Sequence, residues 1–245
     1  MKSPASKVLA VFVALCAALT VALVAAPARP APAYTTPAAF ASKMAAPPPP
    51  RVLFIGDSYT EGTGAQSPLT GYAFTTARAL GWDIHVDGQG GTGYVNPGPQ
   101  QNGARQTITT RAGIVDTPPY DYIVVAAGIN DTSYPLDAVR AAAAESYARI
   151  RQVAPKATLI VVGPWWPTGA PVPEVVALNA AIREEAKGAD AIFVDPIRDR
   201  WITGSISTGR GNAPEYISKD GTHPSQAGHD YLGERLAKAI ASTIG

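Results

Sequence analysis

The sequence predicts an α/β fold, a three-layer α/β/α sandwich built on a central, mostly parallel sheet of five strands. Three observations point there. From residue 51 onward, short β-branched apolar runs alternate with longer helical patterns. The segments between runs are long enough to cross back over a sheet, which parallel pairing requires. The chain of 245 residues is 46% hydrophobic and 16% charged, enough apolar material for one ordinary core.

The strand runs, in order, are "RVLFI" (51–55), "IHVD" (84–87), "YIVVAA" (122–127), "TLIVVG" (158–163) and "AIFVD" (191–195). Helical patterns lie near Gly71–Leu80, Leu136–Val153, Val172–Lys187 and Pro224–Ile244. The last is the clearest, because Leu232, Leu236, Ile240 and Ile244 recur on one face. No internal repeat is evident.

Ahead of this domain (51–245) stand two segments of different character. Lys2 and Lys7 precede an uncharged, apolar run from Val8 to Ala26, followed by small-residue sites at 26–28 and 31–33. Residues 1–28 therefore read as a signal peptide for export. The run is 19 residues long, so an uncleaved N-terminal membrane anchor is the alternative. Residues 29–50, rich in proline and alanine, read as an extended linker. The lone cysteine, Cys16, would leave with the leader, so neither disulfides nor a thiol nucleophile are expected in the mature chain. "VALC" lacks the small residue expected before a lipidated cysteine.

Net charge is +1, from 20 basic and 19 acidic residues without long runs of either sign. Loss of the leader removes two lysines and no acid, which turns +1 into −1. Nothing here resembles an electrostatic footprint for nucleic acid. Three scattered histidines give metal ligation little support, and no cofactor is expected. "GQGGTG" (88–93) has the dinucleotide spacing G-x-G-x-x-G, but "YVNPGPQQNG" after it is poor material for the helix such a site needs.

In open sheets of this class, the working residues sit in loops beyond the carboxyl ends of the strands. After the first run comes "GDSYTEG" (56–62), where Ser58 can present its hydroxyl at the sheet edge beside the N–H groups of the next turn. Alone, Gly-Asp-Ser is an ordinary turn. After the third run comes "GIND" (128–131), where the neutral Asn130 amide can donate to a developing oxyanion; alone, it is a loop asparagine. Before the last helix lies "DGTHPS" (220–225): an Asp-Gly turn can bring the Asp220 carboxylate back to one ring nitrogen of His223 and leave the other free as a base. His85 in a strand and His229 in the final helix read as structural or solvated. "VGPWWPTGAPVP" (162–173) sets Trp165 and Trp166 in a stiff loop on the same side, either as a substrate wall or as local core.

Serine, glycine, asparagine and histidine blocks in this order, each at a strand end, resemble the SGNH/GDSL hydrolase family. The carrying residues are Gly56-Asp57-Ser58, the glycine loop, Gly128-x-Asn130-Asp131 and Asp220-x-x-His223, with "HPSQAGHDYLGERLA" resembling the family's closing helix. The resemblance implies the flavodoxin-like fold of that family. It implies ester hydrolysis in which Ser58 is the nucleophile, His223 the base and Asp220 its partner. It also implies an oxyanion hole made by the Ser58 N–H, the Asn130 amide and a loop glycine: Gly93 is the first choice, with Gly91 as the other candidate. The chain departs from the usual pattern in having Asp87 and Gly88 where an asparagine often precedes this loop. Asp57 and Asp131 are expected to tie loops together. The substrates this suggests are small acyl esters of carbohydrates or similar polar alcohols. Acyl transfer through the same intermediate, long-chain lipid esters and a secreted binding module are the rivals.

Overall fold

The computed structural model describes residues 47–99, 105–113 and 119–244. The expected leader with Cys16, and the expected linker as far as residue 46, lie outside the described residues. Five strands form one sheet: β1 (Arg51–Gly56), β2 (Asp83–Gly88), β3 (Tyr122–Ala126), β4 (Thr158–Val162) and β5 (Ile192–Val194), in the order β2-β1-β3-β4-β5. Every neighbouring pair is parallel. The helices are α1 (Ser58–Glu61), α2 (Tyr72–Leu80), α3 (Ile108–Ala112), α4 (Leu136–Val153), α5 (Pro173–Gly188), α6 (Ala213–Tyr216) and α7 (Gln226–Ile244).

The β-branched runs form strands because successive side chains point to opposite faces and both faces are covered. Phe54, Val124, Ile160 and Val162 pack on one face with Ala73 and Ala77 of α2 and Leu232, Leu236 and Ile240 of α7. Ile55, Ile123, Val125, Leu159 and Val161 pack on the other with α4 and α5, through residues such as Val139, Tyr147, Ile150 and Ile182. Full burial of one such side chain contributes about 1.5–3 kcal/mol. The expected helix at Pro224 begins at Gln226 instead, because Ser225 caps it: the Ser225 hydroxyl accepts from the Gly228 N–H at 3.1 Å, and its carbonyl accepts from His229 N at 2.8 Å.

This strand order fixes where a site can form. Connections leave β1 toward β2 on one side and β3 on the other, so a crevice opens beyond the carboxyl ends of β1 and β3. In the register, Gly56 stands opposite both Gly88 and Ala126, which sets the three following loops at one level. Ser58 and Asn130 emerge from two of those loops. No helix opens from Gly93, so the glycine loop lacks the local structure of a dinucleotide site; among the described residues the next helix, α3, starts at Ile108.

Candidate active site

Asp57 caps α1: it is extended (φ −96°), and its Oδ1 accepts from the Tyr59 N–H at 3.0 Å. This cap turns the chain so sharply that Ser58, the first helical residue, is 8% exposed at the strand end. Its Oγ lies 3.0 Å from His223 Nε2. The other ring nitrogen, Nδ1, lies 2.6 Å from Asp220 Oδ2. Asp220 Oδ1 accepts from the N–H groups of Thr222 (2.9 Å) and His223 (3.0 Å) and from the Ser218 hydroxyl (2.8 Å). Partial burial works against ionisation of Asp220, but these hydrogen bonds and the His223 ring together outweigh it and hold the carboxyl below the usual carboxylate range. Asp220 therefore remains a carboxylate that fixes the imidazole's orientation and tautomer and leaves Nε2 facing the serine. The Tyr59 hydroxyl donates to the Thr222 carbonyl and ties the Ser58 turn to the His223 turn.

The third block is equally ordered. The Asn130 amide donates one N–H to the Thr92 carbonyl at 2.9 Å; its second N–H has no partner among the described residues. Asp131 is 1% exposed, and its carboxylate accepts from the N–H groups of Tyr94 (2.7 Å), Val95 (3.0 Å) and Asn96 (3.0 Å). This is the loop-tying role expected for Asp131. Burial pushes its carboxyl up, against the pull of those hydrogen bonds.

The wrap around Asp131 revises one assignment. Gly93 lies against that carboxylate, where a Cβ would collide with both oxygens, and its N–H donates to the Asn96 carbonyl at 2.8 Å. An N–H already bonded inside a turn cannot also point at an acyl oxygen, so Gly93 does not offer the donor expected of it in this conformation. Gly91, at φ +76°, keeps an N–H with no partner among the described residues. The Ser58 N–H is likewise unbonded there.

The two tryptophans part company. Trp165 is 2% exposed and belongs to the core, stacked on Tyr59 with ring centroids 6.0 Å apart and edge-on to Tyr72 at 5.1 Å. Trp166 is half-buried and donates its ring N–H to Thr168 Oγ1 at 3.0 Å. Both line a narrow slot beside α1 with a cavity volume of about 20 Å³, along with Tyr59, Trp201 and Arg200.

Sequence reasoning missed one thing. Arg111, in a five-residue helix, is 4% exposed and reaches into the loops behind the site. His229, fully buried, is structural and unsolvated: its Nδ1 accepts from the Tyr72 N–H at 3.2 Å, and its Nε2 donates to the Thr63 carbonyl at 3.0 Å. His85 is exposed and bonds the Tyr120 hydroxyl at 3.0 Å. Among the described residues, no three His, Cys, Asp or Glu side chains stand together as a metal site.

Asp57 also leaves a mark on stability. It is fully buried, its Oδ2 has no hydrogen-bond partner, and burial pushes its pKa from 3.8 up to about 7, the Tyr59 N–H and Arg111 opposing the rise. The folded chain thus keeps this proton to about pH 7, while the unfolded chain loses it near pH 3.8. Unfolding releases a proton across that window, so stability falls as pH rises through it, by at most about 1.4 kcal/mol per unit. In Asp57→Asn, which keeps the cap acceptor, the difference in thermal midpoint between pH 5 and pH 8 should shrink. An unchanged difference would show that Asp57 is ionised throughout.

A model of the GDSL-like lipase/acylhydrolase family matches residues 54–231. The chain is 34% identical over 203 residues to the GDSL lipase Rv0518 of Mycobacterium tuberculosis, a match covering 79% of this chain and 82% of the relative. Among solved structures, it is similar to a carbohydrate esterase family 2 enzyme with a carbohydrate-binding domain from Corynascus thermopiles (Myceliophthora fergusii). There the identity is 26% and the TM-score 0.60, over 82% of this chain and 68% of that one. Est24, a carbohydrate acetylesterase from Sinorhizobium meliloti, shares the fold at 20% identity and TM-score 0.60, over 80% of this chain and all of that one.

Proposed function

Because this chain belongs to the GDSL-like lipase/acylhydrolase family and is a carboxylic ester hydrolase, we propose that it acts outside the cytoplasm through an acyl-enzyme on Ser58. Its preferred substrates are small acyl groups, acetyl above all, on carbohydrates or other polar alcohols. One observation carries the reaction: the unbroken run from Ser58 Oγ to His223 Nε2 at 3.0 Å and from His223 Nδ1 to Asp220 at 2.6 Å.

In this mechanism His223 takes the Ser58 proton as Oγ attacks the ester carbonyl. The imidazolium, balanced by Asp220, returns the proton to the leaving alcohol. Water then attacks the acyl carbon while losing a proton to His223, and that proton passes to Ser58 Oγ as the bond to the acyl group breaks and the acid leaves. The Ser58 N–H, the Asn130 amide and the Gly91 N–H receive the negative charge on the acyl oxygen, and each such donor contributes about 3–4 kcal/mol of barrier lowering.

Support for the substrate class comes from two sides. Half-buried Trp166 offers an aromatic wall beside the nucleophile turn, suited to the face of a sugar ring. One similar solved structure, at 26% identity, is a carbohydrate esterase. The name lipase carried by one relative points to long acyl chains instead, so chain length is the variable to measure. Export rests on Lys2, Lys7 and the apolar run that follows.

The full chain should be expressed with its leader, recovered from the medium with a new N-terminus near Arg29, and assayed on acetylated sugars and on aryl esters from acetyl to palmitoyl. Acetyl esters should give the highest kcat/KM. Trp166→Ala should raise KM for the sugar esters several-fold with little loss of stability, whereas Trp165→Ala should cost about 3–5 kcal/mol of stability. Better turnover of palmitoyl than acetyl esters would replace this reading with a lipase, and transfer to an added sugar hydroxyl in preference to water would make the chain an acyltransferase.

A further inference from the structure

Arg111 is a charged side chain, 4% exposed, whose guanidinium makes four hydrogen bonds and one ion pair. Nε donates to the Gln106 carbonyl at 3.1 Å. Nη1 reaches the Asp87 carbonyl at 2.6 Å and the Asp87 carboxylate at 3.0 Å. Nη2 reaches the Gly56 carbonyl and Thr92 Oγ1, both at 2.9 Å.

These acceptors are not scattered. Gly56 ends β1 and immediately precedes the Asp57-Ser58 turn; Asp87 is the penultimate residue of β2; Thr92 is the glycine-loop residue whose carbonyl holds the Asn130 amide. One planar fork thus clamps the ends of two adjacent strands and the loop opposite the nucleophile. The arrangement also accounts for Asp87, the acid standing where the family pattern often has an asparagine: it supplies the countercharge to the guanidinium.

Burying a guanidinium is expensive, and an apolar side chain of similar volume would often serve stability as well or better. What an apolar residue cannot do is hold several carbonyls in a fixed relative position. Acyl transfer is sensitive to such spacing, since a misplacement of about 1 Å can cost on the order of 100-fold in rate.

We propose that Arg111 is a positioning residue for acyl transfer, setting the distance between the Ser58 turn and the glycine loop that, with Asn130, receives the oxyanion. This rests on the serine mechanism proposed above.

The test uses the full chain as Arg111→Lys, Arg111→Ala and Thr92→Val, the last removing a single acceptor of the fork. A fluorophosphonate counts reactive Ser58 in each preparation, and kcat and KM for an aryl acetate are expressed per labelled site. Arg111→Lys should lose about 10–100-fold in kcat with KM within about threefold of wild type, and Thr92→Val should lose several-fold in the same manner. In Arg111→Ala, millimolar guanidinium should restore part of kcat where equal ammonium does not, because a compact ammonium cannot span the acceptors of the fork. Wild-type kcat per labelled site in Arg111→Lys and Thr92→Val would reduce Arg111 to a structural role. If Arg111→Lys fails to fold, Thr92→Val decides alone. A wild-type chain that takes no label would end the serine mechanism and this role with it; a labelled wild type beside fully active variants would end only the role.

Discussion

Replacing Ser58 with alanine will abolish ester hydrolysis, a fall on the order of 10⁴-fold or more in kcat, while leaving the thermal unfolding midpoint within about 2 °C of wild type. Among the described residues the hydroxyl makes one hydrogen bond, with His223 Nε2. Its removal leaves the Asp57 cap, α1 and the Tyr59 bond to the histidine turn in place. Steady-state kinetics and a melting curve on the same preparation check both halves. Turnover like that of wild type would remove Ser58 as nucleophile. A protein that has lost both activity and several degrees of midpoint would instead show that the hydroxyl is part of the packing.

Asn130→Ala should lower kcat by about 10²–10³-fold with little change in KM. The amide spends one N–H on the Thr92 carbonyl and has a second with no partner among the described residues. A ground-state ester carbonyl gains little from that donor, and the charged intermediate gains much, so the loss belongs to kcat. Loss of the Thr92 bond adds about 1 kcal/mol of destabilisation. A change confined to KM would place Asn130 in substrate binding and return the oxyanion to backbone donors alone. Asp220 stays ionised well below the usual carboxylate range, so its own protonation does not set the acid limb of the activity profile.

Much of this was legible in the letters, for identifiable reasons. The central strands β1, β3 and β4 announce themselves because they are buried on both faces and so read as apolar runs, and α4, α5 and α7 because several turns repeat one face. The helices α1, α3 and α6 span four or five residues, too short for any period to show. Ser58, Asn130, Asp220 and His223 stand in the text beside strand ends or a helix start, and topology alone gathers such places. The direction of an N–H is not written that way: only the closing of the turn from Gly93 to Asn96 reveals that the Gly93 donor is taken. Arg111 in "ITTRAG" looks like any polar residue of a surface helix, and its burial comes from three loops converging on it from far along the chain. Trp165 and Trp166 are identical neighbours in sequence, and only the direction of the chain after β4 sends one into the core.

The three side chains of the proposed mechanism are joined by two contacts of very different reach. Asp220 and His223 are three residues apart on one turn, whereas Ser58 and His223 are separated by 165. Closing the short loop costs little chain entropy and can occur as soon as the turn forms; closing the long one waits for most of the domain to assemble. The imidazole is therefore oriented early and the nucleophile activated late. Until the final helix docks and carries His223 over the end of the first strand, Ser58 is an ordinary alcohol, and a nascent or partly unfolded chain is chemically harmless to the esters around it.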